Sequence, residues 1–135
     1  MKKIFADTFY WAALLNPKDQ WHQQTNETRR KLGKTNLVTT ETVLIELLNF
    51  FSEYGAEMRQ TVVDTVRDIL VDLDIEYVPH SPEAFLDALD FYESRSDKGY
   101  SLTDCVSMLT MKNLNLREIL THDNHFEQEG YKILL

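Results

Sequence analysis

The sequence predicts an α/β fold in which a parallel sheet is covered by helices on both faces. Short β-prone segments alternate with helical segments along the whole chain, and parallel strands need helical crossovers of this kind. No linker, internal repeat or low-complexity segment interrupts the 135 residues, a length that suits one domain with a sizeable core. We therefore expect a single domain over residues 1–135.

The first half of the chain is predicted to hold two strands and four helices. Asn16-Pro17 and Gly33 bound the second helix, since proline restricts the residue before it and glycine favours a helix end. Gly55 separates the last two helices. The expected bounds are strand 2–6, helix 8–15, helix 17–32, strand 36–39, helix 41–54 and helix 57–73.

The second half is predicted to hold three strands, two helices and a short helical turn. Ser81 and Pro82 have the residue types of an N-cap and a first helical position, and Ser101 with Asp104 forms a capping pattern. The expected bounds are strand 75–78, helix 82–93, helix 101–113, strand 117–121, helical turn 124–128 and strand 131–134.

The composition is that of an ordinary globular protein, with 43% hydrophobic and 27% charged residues. No apolar run approaches the ~18 residues of a membrane span. Asp7 interrupts the apolar start of the chain, so no signal peptide is predicted. Cys105 is the only cysteine; it is expected to be buried, and it favours a cytoplasmic location without an internal disulfide.

The net charge of −8 argues against a nucleic-acid partner, but net charge is a weak guide when charges are unevenly placed. A basic cluster stands out near the end of the second predicted helix. It is either a solvated helix face or a patch that contacts phosphates. Its members are Arg29, Arg30, Lys31 and Lys34.

Four carboxylates are each the only formal charge in an apolar or uncharged stretch. Such groups are rarely placed in core-forming segments without a partner. None of the stretches contains Lys or Arg, so the partner is either remote in the sequence or a bound cation. The four are Asp7 within 4–17, Glu46 within 42–51, Asp104 within 101–111 and Asp123 within 119–126.

Three of these residues also have simple structural explanations. Asp7 and Asp104 are placed to cap helices, and Asp123 could cap the turn that begins at Asn124. Glu46 lies in mid-helix, where no capping role suits it, so its structural alternative is a remote salt bridge.

Convergence of these carboxylates would be costly without a cation. Two carboxylates ~5 Å apart repel by roughly 3 kcal/mol at an effective dielectric of about 20. Ligand sets made of oxygen favour Mg²⁺ or Mn²⁺ over zinc. A metal held in this way suits phosphodiester hydrolysis.

Four short motifs, in order along the chain, resemble those of PIN-domain nucleases and most of all the VapC-like toxin branch. The resemblance covers essentially the whole chain, and Thr-x-Asp-x-x-Phe is its most specific part. The motifs are Ala6-Asp7-Thr8, Thr39-Thr40-x-x-Val43-Leu44-x-Glu46-Leu47, Ser101-Leu102-Thr103-Asp104-Cys105 and Leu120-Thr121-x-Asp123-x-x-Phe126.

The resemblance implies a three-layer α/β/α sandwich with a five-stranded parallel sheet, and an endoribonuclease that depends on Mg²⁺ or Mn²⁺. Asp7, Asp104 and Asp123 would ligate the metal, and Glu46 would be a further ligand or the base that orients the attacking water. Cleavage would leave 5′-phosphate and 3′-hydroxyl ends.

Three further residues accompany these positions. Thr8 and Thr121 could orient carboxylates or bind phosphate. Asp97 occupies a place where many relatives carry an additional acidic residue, and a solvated turn is its alternative.

The resemblance also suggests partners: an RNA substrate, a second copy in a homodimer, and a small antitoxin that inserts Arg or Lys into the acidic pocket. The principal alternative function is a non-catalytic PIN-like module that binds RNA or protein. A phosphotransfer domain ranks third, because Asp7-Thr8-Phe9 lacks the paired acidic motif that such domains need. His122 and His125 flank Asp123; they are expected at the surface, and contact with substrate is their alternative.

Overall fold

Five parallel strands form one sheet in the computed structural model, which describes residues 2–135. The strands are β1 (Lys3–Ala6), β2 (Asn36–Thr40), β3 (Ile75–Val78), β4 (Glu118–Leu120) and β5 (Lys132–Ile133). The helices are α1 (Thr8–Leu15), α2 (His22–Leu32), α3 (Glu41–Phe50), α4 (Ala56–Val71), α5 (Pro82–Ser94), α6 (Leu102–Asn113) and α7 (His125–Gln128).

The strand order is β3-β2-β1-β4-β5 with every pairing parallel. The chain therefore builds one side of the sheet from β1 to β3 and then crosses to the other side for β4 and β5. In open α/β sheets this reversal leaves a crevice beyond the carboxyl ends of the two strands where it occurs. Here those strands are β1 and β4, and the predicted five-stranded parallel sheet is confirmed.

The central strands form the core. Ile4, Phe5 and Ala6 of β1 have no exposed surface, and neither do Ile119 and Leu120 of β4. Strands covered on both faces read as continuous apolar runs, which is what these two segments show. The residues that follow them are thus held at the end of a rigid platform.

Two predicted helices differ from those observed by more than two residues at one end, while the other helices agree to within two residues. The second begins at His22 rather than at residue 17, because side chains in the intervening turn capture backbone donors: Asn16 Oδ1 accepts from Lys18 N at 3.1 Å and Asp19 Oδ1 from Trp21 N at 2.8 Å. Such local bonds compete with helix formation.

The third helix ends at Phe50 rather than at residue 54. Turns lead from there to Gly55, whose φ of 95° suits glycine. Among residues 2–135, no helix is long and apolar enough to cross a membrane.

Candidate metal centre

The centre is built where β1 and β4 end side by side. Asp7 directly follows β1, and its backbone N–H donates to Leu120 O at 3.2 Å. Thr121 directly follows β4, and its hydroxyl donates to Asp7 Oδ2 at 3.0 Å. The same hydroxyl oxygen accepts from Asp123 N at 3.1 Å. Thr121 therefore links two of the predicted carboxylate residues.

Asp7 is buried, with only 3% of its surface exposed. It occupies the N-cap position of α1 but makes no capping hydrogen bond with its side chain. Its pKa is raised from 3.8 to about 7, chiefly by burial and in smaller part by the charges of Asp104 and Glu46. Hydrogen bonds from Thr8 and Thr121 act in the opposite direction and do not compensate. A simple capping role therefore does not explain Asp7.

Glu46 reaches the centre from the middle of α3. Its Oε1 accepts a short hydrogen bond from the Thr8 hydroxyl, which lies one residue beyond Asp7. Within residues 2–135 no Lys or Arg lies at ion-pairing distance from Glu46. The structure thus supplies no remote salt bridge for this carboxylate.

Asp104 lies in the first turn of α6 and completes a capping box: Ser101 Oγ accepts from Asp104 N at 3.0 Å, and Asp104 Oδ2 accepts from Ser101 N at 3.1 Å. The capping alternative is therefore correct for this residue. Burial nevertheless raises the pKa of Asp104, and the charge of Asp123 adds to that effect. The cap uses Oδ2, so it does not account for the whole carboxylate.

His125 lies between two of the carboxylates. Its Nδ1 is 3.2 Å from Asp104 Oδ2 and 3.3 Å from Asp123 Oδ1. Asp123 Oδ1 also accepts from the backbone N–H of His125 at 3.0 Å, a local turn contact of the expected kind. The edge of the Tyr100 ring packs against the imidazole, with ring centroids 5.4 Å apart. His125 is thus a member of the centre and not a plain surface residue.

One atom from each of Asp104, Asp123 and His125 can be chosen so that all three lie within 4.8 Å of one another. Adjacent ligands of an octahedral ion with bonds of ~2.1 Å are about 3 Å apart. The Nδ1–oxygen separations of 3.2 and 3.3 Å are close to that spacing. This set of two carboxylates and one imidazole fits a divalent cation with one nitrogen ligand. Asp7 and Glu46 are not members of the group, and the charges of Asp104 and Glu46 act on Asp7.

The other predicted site residues lie elsewhere. Asp97 is exposed in the turn before α6 and is 3.9 Å from Lys98 Nζ. The basic cluster lies at the end of α2, where the chain enters β2 and Asn36 N bonds to Lys2 O. It is therefore at the amino edge of the sheet, and Arg29 and Lys34 line a groove of about 510 Å³ there. The role of Asp97 as an additional acidic residue of the site stays a prediction, and so does the role of the basic cluster in binding RNA.

A profile of the PIN domain matches residues 4–129, which is most of the chain. The protein belongs to the PIN domain family, as the four motifs predicted. A search of curated proteins found no match.

Several solved structures share the fold of this chain. VapC20 of Mycobacterium tuberculosis, described as a toxin that cleaves the sarcin-ricin loop, has a TM-score of 0.84 at 20% identity, over 95% of each chain. FitAcB of Neisseria gonorrhoeae has a TM-score of 0.70 at 13% identity, over 98% of this chain and 96% of that one. DNA-bound VapBC of Salmonella typhimurium has a TM-score of 0.66 at 14% identity, over 98% and 97%.

Proposed function

We propose that this PIN domain is a Mg²⁺- or Mn²⁺-dependent endoribonuclease and the toxin of a type II toxin–antitoxin pair. The observation that carries the proposal is Asp7, a buried carboxylate whose pKa is raised to about 7 and which has no Lys or Arg partner within residues 2–135. Perturbed groups of this kind concentrate at functional sites. Family membership supports the nuclease chemistry, and the fold shared with VapC20 supports the toxin role.

Asp7, Asp104 and Asp123 would hold the ion, with His125 at its side. A bound divalent ion would stabilise negative charge on the phosphate oxygens and lower the pKa of an attacking water. Glu46 would be a further ligand or would accept the proton of that water, because the Thr8 hydroxyl fixes its carboxylate. Attack on phosphorus in line with the leaving oxygen needs no 2′-hydroxyl and leaves 5′-phosphate and 3′-hydroxyl ends.

The test is RNA cleavage with Mn²⁺ and with EDTA, compared among wild type, Asp7→Asn and Asp104→Asn. Losing residues that support a metal ligand typically costs about 10- to 100-fold in affinity or activity. We expect losing a ligand carboxylate to cost more. Glu118→Gln is the matched control, since Glu118 is a half-buried carboxylate at the amino edge of β4. It should cleave like wild type.

Thermal melting with Mn²⁺ separates the enzyme from a non-catalytic binding module. Ligand at about 100 times its dissociation constant stabilises the native state by roughly 2.7 kcal/mol, so the wild type should melt at a higher temperature with Mn²⁺ and Asp7→Asn should respond less. Stabilisation by Mn²⁺ without cleavage of any RNA would favour the non-catalytic alternative. Normal cleavage by both variants would refute the proposed site.

The antitoxin proposal follows from the charge of the centre. A partner that places Arg or Lys between the carboxylates would neutralise them through charge-assisted hydrogen bonds and compete with the metal. Coexpression with a small protein encoded immediately upstream should give a complex whose RNA cleavage recovers when excess Mn²⁺ displaces the basic side chain.

We propose that the protein is located in the cytoplasm, since its single cysteine is a buried free thiol.

The homodimer proposal is supported by an apolar stripe on α5. Phe85, Leu89 and Tyr92 are spaced to share one helix face, and 42%, 45% and 50% of their surfaces are exposed. Exposed apolar patches of this kind mark interaction surfaces. Light scattering should give twice the mass of 15.9 kDa for the wild type and a lower mass for Leu89→Glu.

A further inference from the structure

Three aromatic rings form a row beside the metal centre. The His122 imidazole is the middle ring: its centroid is 4.3 Å from that of Phe9 and 4.5 Å from that of Trp21, with interplanar angles of 39° and 15°. The rings come from α1, from the turn before α2 and from the segment after β4. Packing interactions therefore join three separate parts of the chain at this point.

Two members of the row are adjacent in sequence to residues of the metal centre. Phe9 follows Thr8, whose hydroxyl binds Glu46. His122 lies between Thr121 and Asp123, the residues linked to each other and to Asp7. A nucleotide next to a phosphate at the carboxylates would therefore be within reach of these rings.

Internal packing does not account for Phe9, because 40% of its surface is exposed. An aromatic side chain left half in water at the rim of a site presents surface on which another flat group can stack. Unpaired nucleobases stack on aromatic side chains in this way, largely without regard to base identity.

The electrostatics of this edge make such a contact useful. Within residues 2–135 none of the four carboxylates has a Lys or Arg at ion-pairing distance, and the His125 imidazole lies between two of them. The centre therefore offers no Lys or Arg to the RNA backbone. Phosphate contacts normally dominate affinity for nucleic acids. Because the carboxylates repel the phosphate backbone, stacking contacts with the bases would supply the affinity that phosphate contacts do not.

We propose that Phe9, backed by His122 and Trp21, is a stacking platform for one unpaired base of the RNA substrate, adjacent to the phosphate that is cleaved. This inference rests on the proposed ribonuclease function. It assigns the aromatic row a role in substrate affinity and gives Phe9 no part in the chemical step.

The test combines Phe9→Leu with substrates that lack a base. Cleavage of a short single-stranded RNA is first mapped, and abasic nucleotides are then placed singly on each side of the cleaved phosphate. Stacking of one base is worth about 5- to 150-fold in affinity. At one position we expect the abasic substrate to lower kcat/KM about 10-fold for wild type, mostly through KM, and to lower it less than 2-fold for Phe9→Leu.

Two variants and one measurement serve as controls. Phe9→Tyr keeps the ring and should retain the wild-type dependence on the base. Phe50→Leu removes a ring with 48% exposure at the far end of α3 and should also behave like wild type. The melting shift caused by Mn²⁺ should be the same in Phe9→Leu and wild type, because the metal centre is intact.

The outcomes separate the platform from the proposed function. Cleavage by wild type with equal abasic penalties in wild type and Phe9→Leu would overturn the platform alone. Failure of wild type to cleave any RNA with Mn²⁺ would overturn the ribonuclease and the platform together. Loss of Mn²⁺ stabilisation in Phe9→Leu would overturn the platform by showing that Phe9 supports the metal centre instead.

Discussion

The two edges of the sheet treat acidic residues in opposite ways. At the amino edge, Glu118 and Glu76 are paired with lysines: Glu118 Oε1 is 2.6 Å from Lys2 Nζ, and Glu76 Oε1 is 2.9 Å from Lys3 Nζ. At the carboxyl edge, Asp7 and Glu46 receive only threonine hydroxyls from other side chains. The carboxylates of Glu118 and Glu76 are therefore paired with cations, whereas Asp7 and Glu46 have no Lys or Arg partner within residues 2–135.

This difference shows why the net charge of −8 is a poor guide to function. Exposed ion pairs are worth about 0–1 kcal/mol, so the lysine pairs at the amino edge contribute little to stability. Buried carboxylates without a partner lower the stability of the native state. Such unfavourable arrangements are found mainly at functional sites, where a ligand interacts with them. The carboxyl edge is consequently where removing charge should have the largest effect.

The largest expected effect is on the stability of the metal-free protein. Because the pKa of Asp7 is raised from 3.8 to about 7, the native state binds its proton more tightly than the unfolded state does. This contribution to stability is complete below about pH 4 and is lost as pH rises through 7. The change is about 4 kcal/mol at most for a shift of about 3 pKa units.

Urea denaturation in EDTA between pH 4 and pH 8 measures this effect. Relative to wild type, Asp7→Asn should gain stability as pH rises and should show a flatter dependence on pH. Glu118→Gln should follow the wild-type curve. Parallel curves for Asp7→Asn and wild type would mean that the two edges do not differ in the way the structure indicates.

A smaller effect is expected at Thr121. Thr121→Val removes the hydrogen bonds to Asp7 Oδ2 and Asp123 N, and unsatisfied buried groups cost about 1–3 kcal/mol. The Thr121 bond lowers the pKa of Asp7, so its loss should raise that pKa and weaken Mn²⁺ binding at pH 7 about 10-fold.

Thr39→Val is the matched control for Thr121→Val, measured by calorimetric titration with Mn²⁺. Thr39 is equally buried, but its hydroxyl donates to the backbone oxygen of Ala6 at 3.2 Å and not to a carboxylate. It should lose stability and keep its affinity for Mn²⁺. An equal loss of affinity in both variants would indicate a general loosening of the sheet.

Much of the carboxyl edge could be predicted because its residues break local rules. Glu46 lies mid-helix among apolar residues without a Lys or Arg nearby in the sequence, so its partner is predicted to be remote in the sequence or a bound cation. Asp7 and Thr121 follow apolar strands, and the ends of neighbouring parallel strands meet at one edge. Patterns of this kind are local in sequence and still indicate where side chains converge.

Other parts of the centre depend on contacts that no local pattern encodes. His125 has a surface-like sequence context, yet α7 and α6 pack so that its ring lies between Asp104 and Asp123. The aromatic row depends on the turn that ends at Trp21. The sequence predicts helix there, but Asn16 and Asp19 bind backbone N–H groups with their side chains and hold the segment as a turn. Spacing such as Asp-x-His, here Asp123 and His125, is the only sequence signal that could have suggested the histidine.

The smallest expected effect is at the basic cluster of α2, which lies at the opposite edge from the carboxylates. Arg29→Ala with Lys34→Ala should change cleavage of a 3-nucleotide RNA less than 2-fold, because so short a strand at the carboxyl edge cannot also reach the amino edge, about 15 Å away along strands of at most five residues. On a long RNA, the double variant loses two phosphate contacts. The slope of log affinity against log salt concentration should then become shallower by about 0.7 for each lost contact on a single strand. Lys132→Ala, which removes an exposed lysine at the amino edge of β5, is the control and should leave both substrates unaffected. Loss of short-RNA cleavage in the double variant would mean that RNA reaches the carboxylates by way of the amino edge, and the separation of the two edges would then be wrong.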